Sequence, residues 1–200
     1  MEATMTRETR AQSVPAEVRA EADGIRVSGY AAVFGQVTDI GGYFREVIEA
    51  GAFSESLKRG DDVVFVINHE GLPLARTVSG TLTLSEDDHG LRMETFLRSD
   101  DPDVMRIIPK MERGDLNKMS FAFLPDVQEW DETQDPPLRT IRKASLFDVS
   151  IVTTPAYGGT DIGLRSLDAA RKSKKTHNFE ATARRMRMKL NLAAKAQENG

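Results

Sequence analysis

The chain has 200 residues, 40% of them hydrophobic, with 27 Lys/Arg against 31 Asp/Glu and no cysteine. That length and apolar content suffice for one buried core plus extensions, while the missing cysteines exclude a disulfide scaffold, a thiol nucleophile and any cysteine-based zinc site. No apolar run is long enough to span a bilayer and residues 1–19 are charged throughout, so neither a signal peptide nor an anchor is expected, and a soluble cytosolic protein is the expected class.

Charge is spread unevenly. Residues 165–200 hold ten Lys/Arg against three Asp/Glu, which leaves 17 basic and 28 acidic residues in 1–164. An acidic body with a basic tail points to two parts with different roles. Three divisions follow: a polar leader over 1–23, a folded domain over 24–165, and a basic tail over 166–200 that is helical or disordered.

In chain order, 25–34 reads as a strand, and Gly29 inside it marks a bend or a close backbone approach. Gly41-Gly42 is a turn before a short strand at 43–48. Residues 51–60 read as a two-turn helix stopped by Gly60, with Lys58 and Arg59 at the end where the helix dipole favours cations. The run Asp62-Val63-Val64-Phe65-Val66-Ile67-Asn68-His69-Glu70 reads as a buried strand that delivers His69 to its exit. A histidine held there suits a general base, because its pKa lies near neutrality; a capping or solvent-facing histidine is the alternative.

Residues 74–84 and 90–98 read as two antiparallel strands joined by an acidic loop. His89 sits in that loop among Glu86, Asp87 and Asp88, a solvated turn composition that argues against catalysis. Asp100-Asp101-Pro102-Asp103 opens a helix with acidic residues and a proline in its first turn, and Pro109 is expected to kink it on the way to Gly114. The next stretch, Lys118-Met119-Ser120-Phe121-Ala122-Phe123, reads as a short strand with bulky groups on one face and small ones on the other. Ser120 is then a lone hydroxyl on the narrow face, held still by aromatic neighbours. A nucleophile needs that combination, although a strand serine with no chemical role has the same pattern.

Residues 126–133 and 138–144 read as a hairpin across Asp135-Pro136-Pro137, with Trp130 in the core or at its rim. Residues 146–152 form a further buried strand with Asp148 in its middle. A carboxylate between Phe147 and Val149 must be paired or hydrogen-bonded, either in an ion pair or to a histidine that needs orienting. From 166 onwards the Ala-, Arg-, Lys- and Met-rich composition favours helix. The run 184–190 is basic with apolar interleaving, but zinc-finger spacing, a phosphate-cradling loop and an aromatic platform are all missing, which argues against nucleic acid as its partner.

Seven or eight strands with two or three connecting helices indicate an α+β fold, a mainly antiparallel sheet or β-barrel with peripheral helices. His69, Ser120 and Asp148 are the three polar groups that interrupt its strongest apolar strands. Together they form the set a serine hydrolase uses, with the carboxylate fixing the imidazole and the imidazole taking the serine proton.

The ordered set Gly29-Tyr30-Ala31-Ala32-Val33-Phe34-Gly35, Gly51-Ala52-Phe53, Asn68-His69, Gly114-Asp115-Leu116, Met119-Ser120-Phe121-Ala122-Phe123 and Leu146-Phe147-Asp148-Val149-Ser150-Ile151-Val152-Thr153-Thr154-Pro155-Ala156-Tyr157 resembles the prohead (capsid maturation) proteases of HK97-type tailed phages, across about 24–166. The resemblance implies a fold similar to herpesvirus assemblin and a serine endopeptidase that cleaves scaffold or capsid-protein segments, and itself, during prohead maturation. His69 matches the family's histidine, Ser120 its nucleophile and Asp148 its third member, a position held by Asp or Glu in the family and by a second histidine in assemblin-like relatives. By the same analogy, backbone amides in 153–157 form the oxyanion hole. The implied partners are the major capsid protein with its scaffold segment, the portal, and a second copy of the chain. The implied setting is the assembling prohead in a bacterial host's cytoplasm, encoded by a phage or prophage. No cofactor, metal or membrane is implied. The rival reading is an inactive capsid- or scaffold-binding module that keeps the barrel.

Overall fold

A computed structural model describes residues 7–153, 163–164, 166–172 and 184–188. The chain divides into two units, Met1–Thr160 and Asp161–Gly200. In the second, 163–164, 166–172 and 184–188 are helical, and 184–188 are all exposed. The rest of the basic run and His177 lie outside the described residues.

The strands of the first unit are β1 (Glu8–Pro15), β2 (Glu17–Glu21), β3 (Gly24–Val33), β4 (Thr38–Ile40), β5 (Phe44–Ile48), β6 (Val64–Ile67), β7 (Glu70–Arg76), β8 (Leu82–Glu86), β9 (Gly90–Arg98), β10 (Lys118–Asp131) and β11 (Leu138–Val152). Helix α1 (Ser54–Arg59) precedes β6 and α2 (Pro102–Glu112) precedes β10. A four-stranded sheet runs β2-β3-β9-β8. The larger sheet has seven strands in the order β1-β10-β11-β5-β4, with β6 added to β11 and β7 to β6. It is organised by the β10–β11 hairpin: β11 pairs with β10 along one side and, on the other, runs parallel first to β5 and then to β6.

These elements follow from local chemistry. At α1, Gly60 adopts the left-handed conformation (φ 72°) that ends a helix, and its N–H donates to the Leu57 carbonyl (3.1 Å). Asp101 caps α2 by accepting from the Asp103 N–H (2.8 Å), and Val104, Ile107 and Met111 form its buried face. The helix continues through Pro109 to Glu112. Side chains from both sheets and α2 share one core, among them Ile25, Val27, Leu91, Met93, Ile107, Met119, Phe121, Phe123 and Val149. Gly29 is the close approach that its position predicts, because a Cβ there would stand 3.3 Å from Ala16 Cα, and the β3–β9 register slips immediately afterwards.

The α+β class holds, but four expectations need correction. The described strands do not close a barrel. β7 pairs only with β6 and β8 only with β9, so the hydrogen-bonded ladder breaks between the two sheets. Regular structure also starts before Gly24, since β1 and β2 occupy most of the expected leader, and β1 forms an edge of the larger sheet beside β10. Residues 74–84 are not one strand; a turn closed by the Gly80 N–H on the Thr77 carbonyl (2.9 Å) separates β7 from β8. Lastly, the strands expected at 118–123 and 126–133 are the single strand β10, and those at 138–144 and 146–152 are the single strand β11. Register shifts near Pro125 allow β10 to pass its proline without ending.

β1 is polar in sequence because it carries Glu8 and Arg10. Both are buried in a four-charge cluster with Glu46 of β5 and Arg139 of β11. Arg139 donates to Glu8 Oε2 (2.7 Å) and Oε1 (2.8 Å), Glu46 Oε2 (2.9 Å) and Gln128 Oε1 (2.7 Å). Arg10 donates to Glu46 Oε1 (2.7 Å) and Oε2 (2.9 Å) and to Glu8 Oε2 (2.6 Å). Burial pushes Glu8 up, but Arg139 and Arg10 outweigh it and hold the carboxyl below its ordinary value. Burial likewise pushes Arg10 down, and Glu46 with Glu8 outweigh it in the other direction. Charges that look solvated along the sequence are thus neutralised by partners far away in the chain.

Candidate active site

Ser120 lies on β10 between two neighbours, opposite Ala11 of β1 on one side and Ser150 of β11 on the other. Ala122, two residues on, stands opposite Asp148. Side chains two apart on a strand share a face, and so do cross-strand partners, which puts Ser120, Ser150 and Asp148 together on one face of the sheet. The other face holds Phe121, whose ring meets Phe53 edge-on (centroids 5.5 Å) and Phe123 at 5.1 Å. Aromatic packing behind the strand therefore fixes the backbone that carries the hydroxyl.

β6 runs parallel to β11 with Ser150 beside Val66, and the chain then turns sharply at Asn68 and His69. Both residues have positive φ, 51° and 62°, a conformation that few residues other than glycine adopt. β11 and the residue after it, Thr153, hold this turn at three points. The Asn68 N–H donates to the Ile151 carbonyl (3.1 Å), the His69 N–H to Ser150 Oγ (3.2 Å), and the Thr153 N–H to Asn68 Oδ1 (3.1 Å).

The turn brings the three predicted residues together. His69 Nε2 lies 2.6 Å from Ser120 Oγ, and His69 Nδ1 lies 2.6 Å from Asp148 Oδ1. Asp148 is fully buried; Oδ1 also accepts from Ser150 Oγ (2.9 Å), and Oδ2 forms an ion pair with Arg7. The Arg7 guanidinium also lies over the Phe147 ring, 5.4 Å from its centroid. Burial, reinforced by the Arg7 charge, pushes the His69 pKa down to about 4. The imidazole is thus neutral at pH 7. With the Nδ1–H donating to the Asp148 carboxylate, Nε2 is free to accept. Ser120 Oγ has one proton and two acceptors in reach, Nε2 at 2.6 Å and the Arg10 carbonyl at 2.9 Å, and the shorter contact goes to the ring. Ser120 itself is buried, whereas the His69 side chain keeps 19% of its surface exposed.

A family model described as caudovirus prohead serine protease matches residues 14–175. The chain belongs to that family. It is accordingly a serine protease of phage capsid maturation. Among solved structures it is similar to the bacteriophage T4 capsid assembly protease, at a TM-score of 0.56 and 10% identity, over 75% of this chain and 98% of that one. At that identity the likeness concerns the fold. No curated protein sequence matches the chain.

In this prohead protease His69, Ser120 and Asp148, the three polar interruptions of the apolar strands, lie within hydrogen-bonding distance, Ser120 to His69 and His69 to Asp148. His89 is exposed, its ring edge-on to Tyr30 at 4.4 Å and its backbone N–H donating to Asp87 Oδ1 (2.8 Å) within the acidic turn. Of the expected oxyanion segment only Thr153 is described; Thr154 to Tyr157 lie outside the described residues. Among the described residues no three His, Asp or Glu side chains converge as a metal site requires, and no helix is long and apolar enough to cross a membrane. Sequence reasoning missed Arg7 and Ser150. Ser150 had a signal, its two-residue spacing from Asp148 within one strand. Arg7 had none, because it precedes β1, an edge strand whose polar sequence leaves no local mark of a strand.

Proposed function

We propose that the prohead protease cuts peptide bonds with Ser120 as nucleophile, His69 as general base and acid, and Asp148 as the group that orients the imidazole. The observation that carries this reading is the unbroken relay of two 2.6 Å contacts, from Asp148 Oδ1 to His69 Nδ1 and from His69 Nε2 to Ser120 Oγ. His69 removes the Ser120 proton as Oγ attacks the scissile carbonyl, then returns it to the leaving amine, which leaves an acyl-enzyme. Water enters next with His69 again as base, and the acid product leaves as Ser120 regains its proton. Asp148 stays ionised throughout and stabilises the imidazolium. Backbone amides in 153–157 are the proposed oxyanion donors.

The proposed substrates are the scaffold segment of the major capsid protein and the protease itself, cut inside assembling proheads of a bacterial host. The tail 166–200 is the proposed docking segment for shell or scaffold, removable by self-cleavage. Co-expression with the cognate capsid protein, read by mass spectrometry of the products, tests this. The wild type should yield a trimmed capsid protein and Ser120→Ala a full-length one with the fold intact by circular dichroism. Continued trimming by Ser120→Ala would remove the proposal.

A further inference from the structure

We infer that Ser150 is a positioning residue of this protease, one that selects the imidazole tautomer able to activate Ser120; the inference rests on the proposed roles of Ser120, His69 and Asp148. Ser150 is completely buried, and a buried hydroxyl is costly unless its hydrogen bonds are made. Its three polar contacts all go to the other two members of the relay. It accepts from the His69 backbone N–H (3.2 Å), donates to Asp148 Oδ1 (2.9 Å) and stands 3.1 Å from His69 Nδ1.

Those contacts admit two proton arrangements with different consequences. If Ser150 gave its proton to Nδ1, the ring proton would sit on Nε2 and Ser120 would face a donor. If Ser150 gives it to Asp148 Oδ1, the carboxylate collects protons from both Ser150 and Nδ1, and Nε2 is left free to accept. The ionised carboxylate is the stronger acceptor, so the second arrangement wins. The backbone contact adds a geometric role. His69 holds φ at 62°, a conformation unfavourable for a residue with a Cβ, and the bond from its N–H to Ser150 Oγ is one of those that maintain it. Because Ser150 is the cross-strand partner of Ser120, its oxygen is fixed by the same ladder that fixes the nucleophile. The charged groups facing the ring are Asp148 on β11 and Arg7 ahead of β1.

The test uses the full chain and a fluorophosphonate that labels an activated serine, with the rate measured against pH and probe concentration. Ser150→Ala should lower the limiting labelling rate by about 10- to 100-fold, the rate equivalent of one hydrogen bond to a charged group, with the probe's half-saturating concentration unchanged. The pH midpoint of labelling should also move. Ser150→Cys keeps the shape but hydrogen-bonds weakly, and it should show the same pattern at smaller size; it carries the test if the alanine variant does not fold. Wild-type labelling rates and an unmoved midpoint in the folded variant overturn the inference. Ser120→Ala separates the two readings: if it still labels like the wild type, the nucleophile assignment fails, and if it is silent while Ser150→Ala and Ser150→Cys match the wild type, only the role of Ser150 fails.

Discussion

Replacing Arg139 by methionine keeps the length of the side chain and removes its charge from the buried cluster. The guanidinium is fully buried and donates to Glu8 twice and to Glu46 and Gln128 once each. Without it, Arg10 alone faces two carboxylates. Glu8 keeps only its 2.6 Å bond from Arg10, while Glu46 keeps both of its Arg10 bonds. One buried negative charge is then uncompensated, a change that costs about 3–5 kcal/mol out of a typical total stability of about 5–15. Urea unfolding at pH 7 reads this directly: with a slope of about 2 kcal/mol per molar, the midpoint should fall by about 2 M. The pH dependence has a definite sign. In the wild type Glu8 is depressed, so its contribution is present above its ordinary pKa and lost as pH falls through the folded value. In the variant burial has one opponent fewer, Glu8 rises, and protonation relieves the strain on acidification. The gap between variant and wild type should therefore shrink from pH 7 towards pH 4, and Glu8→Gln added to Arg139→Met should recover part of the loss at pH 7. A loss under about 1 kcal/mol at pH 7, or one that grows on acidification, would refute the reasoning.

The His69 pKa of about 4 predicts that kcat/KM holds its plateau well below pH 6 and falls as the ring takes up a proton; Arg7→Ala removes a facing positive charge and should move that limb upward, and a fixed or lowered limb counts against the electrostatics. Because the folded value lies below 6.5, His69 contributes stability that is present above pH 6.5 and is lost as pH falls from there towards 4, which urea midpoints across that window would register. Asp148→Asn should slow turnover less than His69→Ala, since the base itself remains; the reverse order in a comparison of kcat would sink the assigned roles. Gly90→Ala puts a Cβ onto the Ala32 carbonyl and should cost about 3 kcal/mol, whereas Gly80→Ala meets open space at φ 71° and should cost only about 1; thermal melts giving the opposite order would contradict the packing.

How much could be read in advance differs between the elements and the assembly. Val64 to Ile67, the Ser120 strand and the Asp148 strand were legible because burial and alternation leave a local trace, and Gly60 and Asp101 marked helix ends through their own backbone and side-chain chemistry. Amino-acid order by itself therefore determined most strand and helix positions and the three polar interruptions of the apolar strands. It left no trace of β1 as a strand, because the partners that let Glu8 and Arg10 be buried include the distant Glu46 and Arg139, and no trace of Arg7 beside the acid. The tertiary structure alone decided that β5 and β6 lie parallel along one strand, that the ladder breaks into two sheets, and that the Asn68-His69 turn folds back over Ser120 and Asp148. The physical reason is that pairing between strands depends on partners many residues away, and such partners exist only once the backbone has closed on itself.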